Sequence, residues 1–368
     1  MSAGLLWKEW RQNAWVFIFI LIAFIGSEAT TATNAVSMFN DNYNYYQSEE
    51  FQKNNTADQQ MTGNEIKNDL SLTPYDFEGN LGLFFYVFLF LGLKLTVFEK
   101  NKQMDYFTFG LPYSKKQIFW HKMLIPLLLI FVLVPIIIFC RFWYIYQQIP
   151  GLYLPSVSDS LMYISSFLLL YLFSYTLAVA VGNLVGEIIT AGIIAIGSIV
   201  SFLYMFPGAL TNLIIGFKAF FTGKTIVDID GGAVMLYNAI PTPILQGTTA
   251  LSEFVILIIL SIGMLTISWY AMKTASLEND GRFLMNNKFR VPILIIGSLY
   301  VTICLSGHYA SFNYDQLIPT GQVISLIIKI ILILVASVIA FWMLMYKWKT
   351  LRKHKKRPRI EESILGLF

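Results

Sequence analysis

The chain has 368 residues, of which 56% are hydrophobic and 13% charged, with a formal net charge of +4. A soluble domain carries about 25% charged residues, so the composition excludes an ordinary soluble globular protein and points to the membrane. The two cysteines, Cys140 and Cys304, each lie in an apolar run and read as small buried hydrophobes. No CxxC or Cys/His cluster gives a metal-ligand spacing, so a metal site is not expected.

In chain order, residues 1–13 hold Leu5, Leu6, Trp7 and Trp10 among Lys8, Glu9 and Arg11. Tryptophans with apolar residues at helical spacing suit a cytosolic interfacial helix. Eight apolar runs follow, at about 14–34, 79–98, 123–146, 159–181, 188–207, 251–272, 291–307 and 320–346. Each meets or approaches the ~20 residues that a helix needs to cross the hydrocarbon core. The first run is too long for the apolar part of a cleavable signal, and no small-x-small site follows it. Pro135 should kink the third run. GNLVGE (182–187) reads as a tight turn between the fourth and fifth.

With the N-terminus inside, the inner segments hold 19 Lys and Arg and the outer segments four, while Lys94, Arg141 and Lys329 fall within spans. That bias sets an N-in, C-in orientation. The expected fold is therefore an all-α membrane protein, a polytopic bundle of about eight transmembrane helices over residues 14–346. Residues 35–78 form an acidic outer loop with some helix. Residues 208–250, turn-rich and apolar, should dip back toward the membrane as short helices. The tail, 347–368, carries eight Lys and Arg. It reads as a cytosolic anchor for anionic lipid, not as a nucleic-acid-binding element.

Signs of chemistry are few. FFTGKT (220–225) copies the end of a P-loop, but the glycine required five positions before Gly223 is Lys218. Glu361 and Glu362 fall in the tail, the three histidines have no catalytic partners at useful spacing, and HExxH is absent. An enzyme active site is not expected. Intramembrane charges default to a functional reading. Glu28 and Arg141 both fall toward the outer ends of their spans and could pair. Lys94 should snorkel to the inner surface. Lys329 is the candidate for a buried charge with a partner.

The stretch 99–122, EKNKQMDYFTFGLPYSKKQIFWHK, interrupts two apolar runs. Ser114 and Gln117 fit a capping box, so a helix should start there and run into the third span. Upstream, Met104, Phe107 and Leu111 recur at helical spacing with Lys102 and Asp105 among them, which suits a short amphipathic helix. Pro112 separates the two. Such a helix can lie on a membrane or fill a partner's groove.

Here the chain resembles the ABC-2 type transporter permease family. The likeness rests on Glu99-Lys100, Asp105, Leu111-Pro112-x-Ser114-Lys115 and Lys122. It extends to the N-terminal helix and to the proline-containing PTPILQG (241–247) before a late span. Eight spans and a large first outer loop look closer to Gram-positive permeases of the type found in cell-envelope stress and acetoin-utilisation operons. The resemblance implies a bacterial cytoplasmic-membrane subunit that exports or removes a peptide, lipid or other amphipathic compound. It further implies two separate ABC ATPase subunits, a second permease chain (identical or homologous), and no cofactor in this chain, since the ATPase would hold ATP and Mg²⁺. Glu99, Lys102, Met104, Asp105, Phe107, Leu111, Pro112, Ser114, Lys115 and Lys116 would dock the ATPase. Two alternatives stay open: an ATP-independent transporter or channel, and a membrane sensor or scaffold using the acidic outer loop.

Overall fold

The computed structural model describes residues 3–49, 51, 63–73, 81–99, 108, 110–230, 251–274, 283–310, 312 and 316–346. Eight helices in it are long and apolar enough to cross a membrane. Among the described residues no strand forms, and one isolated β-bridge joins Val185 to Leu284. The chain is an all-α, multi-pass membrane protein.

The first span belongs to α1, Ala3–Gln47. At 1.5 Å per residue its 45 residues run about 67 Å, well over twice the ~30 Å hydrocarbon thickness. The helix expected over 1–13 is therefore not a separate piece but the first turns of α1, with Leu5, Glu9 and Asn13 buried against the bundle. At its C-terminal end α1 meets the short α2, Gly63–Leu70, where the Tyr46 hydroxyl donates to the Asp69 carboxylate. Phe39 and Tyr43 close this end against Tyr153.

The second span is α3, Leu81–Leu93, continued by a π turn, Lys94–Phe98. The third comprises α4, Lys115–Leu128, a π turn, Leu129–Leu133, and α5, Val134–Gln148. The fourth is α6, Val157–Leu184. The fifth comprises α7, Ile188–Val200, a π turn, Ser201–Met205, and α8, Phe206–Thr222. After a short α9, Ile226–Asp230, come α10, Leu251–Thr274, α11, Arg290–His308, and α12, Thr320–Tyr346.

Pro135 and Pro207 each stand two residues after a π turn. A proline ring clashes with the carbonyl four residues back and offers no N–H, and the widened turn relieves both. This corrects the expectation for 208–250. Its first part is not a set of surface helices but the continuation of the fifth span to Thr222. Residues 231–250, like the tail 347–368, lie outside the described residues.

The core is centred on α6, which packs along α3 on one side and α10 on the other. It buries Tyr163, Phe167, Tyr171 and Tyr175 completely, and the Tyr171 hydroxyl donates to the Leu81 carbonyl at 2.9 Å. Lipid is as apolar as leucine, so helix association in a membrane depends on close approach and interhelical hydrogen bonds. Both are present. Asn183 of α6 donates to Ser268 of α10 at 2.8 Å. On α3 and α6, a Cβ added to Gly92 would sit 2.7 Å from Ala178 Cβ, and one added to Gly182 would sit 1.9 Å from Thr96 Oγ1. A second sheaf comprises α8, α11 and α12. There Gly307 of α11 lies flat against the backbone of α8, so that an added Cβ would stand 2.1 Å from the Ala209 carbonyl oxygen.

That last contact is backbone against backbone and has no side chain to yield. Gly307→Ala should force α11 away from α8 and lower stability by about 1–3 kcal/mol, the range for overpacking. Thermal unfolding in detergent would show a depressed midpoint, whereas Gly263→Ala, in open space, should leave it unchanged.

Candidate functional site

The stretch 99–122 joins the second span to the third, and an ion pair links its two ends. Lys122 Nζ of α4 lies 2.5 Å from Glu99 Oε2, and both side chains are at most 7% exposed. A buried charge pair holds its geometry because separating the partners leaves an uncompensated charge away from water. The ends of the segment are therefore pinned together.

The pin sits in a wider polar cluster built by α1. Lys8 Nζ donates to Thr108 Oγ1 at 2.7 Å and lies 3.4 Å from Glu9 Oε1, which ties the N-terminal turns of α1 to the middle of the segment. Asn13 Nδ2 donates to the Glu9 carbonyl at 3.1 Å, and Lys94 of the first π turn donates to Asn13 Oδ1. Lys94 thus does not snorkel freely as expected. A partner one helix away holds it. No sequence motif marks Glu9, Asn13 or Lys94, and the only signal is the i, i+4 spacing that puts Glu9 and Asn13 on one face of α1.

The return half of the segment is stiff. Ser114 Oγ accepts from the Gln117 amide at 3.3 Å while Gln117 Oε1 accepts from the Ser114 amide at 3.0 Å, the anticipated capping box. Next to it, Lys115 Nζ donates to the Lys273 carbonyl at 3.2 Å. That carbonyl is among the last four of α10, which lack helical partners and carry the negative end of the helix dipole, so a lysine fits there. Thr274 in turn accepts from Asn286 Nδ2 at 2.5 Å, and the Met285 amide donates to the Leu184 carbonyl at 3.0 Å. The segment is thereby linked in sequence to the inner ends of α10, the chain entering α11, and α6.

This geometry redistributes the expected docking residues. Pro112, Ser114 and Lys116 are exposed. Glu99 is buried in the pin. Leu111 is half-buried against the chain's own core, and Lys115 is held on α10. Lys102, Met104, Asp105 and Phe107 lie outside the described residues, as does the amphipathic helix expected to carry them.

A second buried pair lies between α1 and α5. Arg141 Nη1 is 2.8 Å from Glu28 Oε2, with side chains 1% and 2% exposed, so the anticipated pairing forms. Lys329 corrects the expectation of a buried charge: it faces outward on α12. The reason is that α12 packs mainly on α11, with a minor contact to α8, so much of its circumference stays open. Cys140 is also exposed, while Cys304 is buried, and both are free thiols. The P-loop look-alike is helix punctuation. Gly223 (φ 61°) closes α8 in the left-handed conformation. Thr225 and Asp228 then exchange hydrogen bonds at 3.2 Å, each amide to the other's side-chain oxygen, to open α9. The Thr225 hydroxyl and amide hold the Asp228 carboxyl below its ordinary range. Among the described residues no group of three or more His, Cys, Asp or Glu could hold a metal ion.

Breaking the inner pin from one side should be worse than removing it. Lys122→Met alone should cost about 3–5 kcal/mol, and Lys122→Met with Glu99→Leu should recover most of that loss. Thermal inactivation of the purified protein would give the cycle, and equal losses in the single and double variants would show that the pair does not hold the segment. No protein-family model, curated protein or solved structure matches the chain, so its functional reading rests on this geometry and on the sequence motif.

Proposed function

We propose that the chain is the membrane-spanning permease subunit of an ABC-2 type transporter and that the segment 99–122 seats a separate ATPase subunit on its inner face. The observation that carries this reading is the pinned segment itself. Its two ends are fixed by Glu99–Lys122, while Pro112, Ser114 and Lys116 between them face outward. A segment that only joined two spans would need neither a buried ion pair nor a capping box. A segment that receives a push from a partner needs both, since a floppy one would absorb the displacement locally.

The hydrogen bond from Lys115 to the end of α10 supplies the route onward. A displacement of the segment reaches α10 directly, and through Asn286 and Met285 it reaches α11 and α6. In this reading the chain binds no nucleotide and catalyses no reaction. ATP and Mg²⁺ are held by the partner, and a second permease chain completes the translocation path in a bacterial cytoplasmic membrane. The cargo is an amphipathic compound.

The two lysines separate docking from transmission. In a preparation with the soluble P-loop ATPase that co-purifies with the chain, Lys116→Glu should weaken ATPase association about tenfold, or ~1.4 kcal/mol. Lys115→Met should leave association within about twofold while reducing the permease-dependent stimulation of ATP hydrolysis. The docking reading fails if the Lys116→Glu chain retains the ATPase at wild-type affinity, or if no P-loop ATPase accompanies the wild-type chain.

A further inference from the structure

Between α1 and α5 lies a cavity of about 310 Å³, walled in part by Glu28, Ala29, Ile137, Cys140, Arg141 and Tyr144. Its volume falls at the lower end of the range for small-molecule sites. Ala29, Cys140 and Tyr144 are exposed at the surface of the bundle, so the cavity is reached from the side, where lipid lies. With the orientation set by the lysine and arginine bias, Glu28 stands six residues, about 9 Å, before the outer end of the first apolar run. The cavity is therefore within the outer half of the hydrocarbon layer.

One side chain in its wall lacks what a buried polar group needs. Glu28 Oε2 lies 2.8 Å from Arg141 Nη1, but among the described residues both carboxylate oxygens are buried and neither accepts a hydrogen bond, and Oε1 is the one not set against Nη1. In hydrocarbon no water supplies the missing donor. A ligand that brings an O–H or N–H into the cavity would supply it, with an apolar body left to lie along Ile137 and the outer surface.

The charge balance chooses between donors. Glu28 and Arg141 already neutralise each other. An ammonium group or a phosphate brought to this depth would stand as an extra uncompensated charge, whereas a hydroxyl adds none. We infer that the cavity between α1 and α5 binds an uncharged amphiphile bearing a hydroxyl headgroup, the hydroxyl donating to Glu28 Oε1 and the hydrocarbon chain lying in the outer leaflet. This goes beyond the ATPase-docking reading and does not depend on it, because the site is complete in the single chain.

The test uses the purified full-length chain in phosphatidylcholine nanodiscs, a lipid with no O–H or N–H donor, and without any ATPase. A photoactivatable long-chain alcohol is crosslinked, and labelling of the peptides spanning 25–33 and 137–144 is read by mass spectrometry. Unlabelled 1-dodecanol should compete in a saturable way. Dodecyl methyl ether, the same chain without the donor, should compete about tenfold less well, the factor that one hydrogen bond to a charged group supplies. Dodecylammonium should also compete less well than the alcohol. Ala29→Leu, which fills the cavity and leaves the ion pair in place, should abolish saturable labelling. Glu28→Leu with Arg141→Met should equalise the alcohol and the ether. Equal competition by alcohol and ether in the wild-type chain would reduce the site to an apolar crevice and overturn the inference. Stronger competition by dodecylammonium would overturn the assigned ligand class. Saturable labelling that survives Ala29→Leu would show that the alcohol binds elsewhere.

Discussion

A carboxylate and an ammonium group, 2.5 Å apart and shut away from water, govern the inner end of this bundle. The Glu99–Lys122 pair fixes where the second span ends and where the third begins. Around it Lys8 donates to Thr108, Asn13 to the Glu9 carbonyl and Lys94 to Asn13, while Glu9 Oε2 and Glu99 Oε1 stay buried without a hydrogen bond among the described residues. The long N-terminal helix is held to Thr108 and Lys94 by these contacts and not by apolar packing alone.

Membrane context explains why such features carry so much of the structure. Burying leucine against leucine gains little when the alternative is lipid. The described contacts that fix helix positions are accordingly small or polar: Gly92 and Gly182 where α3 meets α6, Gly307 where α11 meets α8, and Asn183 with Ser268 between α6 and α10. The second sheaf, of α8, α11 and α12, has contacts of the same kind: Asn212 of α8 donates to the Gly307 carbonyl at 3.4 Å, and Ser337 of α12 donates to the Ser298 carbonyl of α11 at 3.3 Å. Lys329 points outward from the face of α12 that neither α11 nor α8 covers.

Much of the fold could be read from the residues, and for definite reasons. Runs of about 20 apolar residues have one stable solution in a bilayer, and the Lys and Arg bias orients them. The capping box at Ser114 is local chemistry, so spacing alone reveals it. The Glu28–Arg141 pair was legible because two charges at one depth in hydrocarbon have few other options. What stayed hidden depends on tertiary placement. Nothing local says that Lys94 faces Asn13 some 80 positions away, that Lys115 finds the end of α10, or that Leu111 turns toward its own core. The expectation of surface helices after 207 failed because proline and glycine were read as breakers, while a π turn upstream lets Pro207 sit inside a continuous span.

The continuity of α1 has a mechanical meaning. One unbroken rod carries Glu9 in the inner polar cluster, Glu28 in the outer ion pair and Tyr46 in the cap on α2. Glu9 and Glu28 are separated by 19 positions, about 28 Å along the axis. Within the described helix no proline, π turn or loop interrupts that distance to act as a joint. A rod without a joint cannot turn at one end only. Torsion applied where Lys8 meets Thr108 would therefore appear at the wall of the outer cavity with the same sense and nearly the same angle, without any relay of intervening side chains.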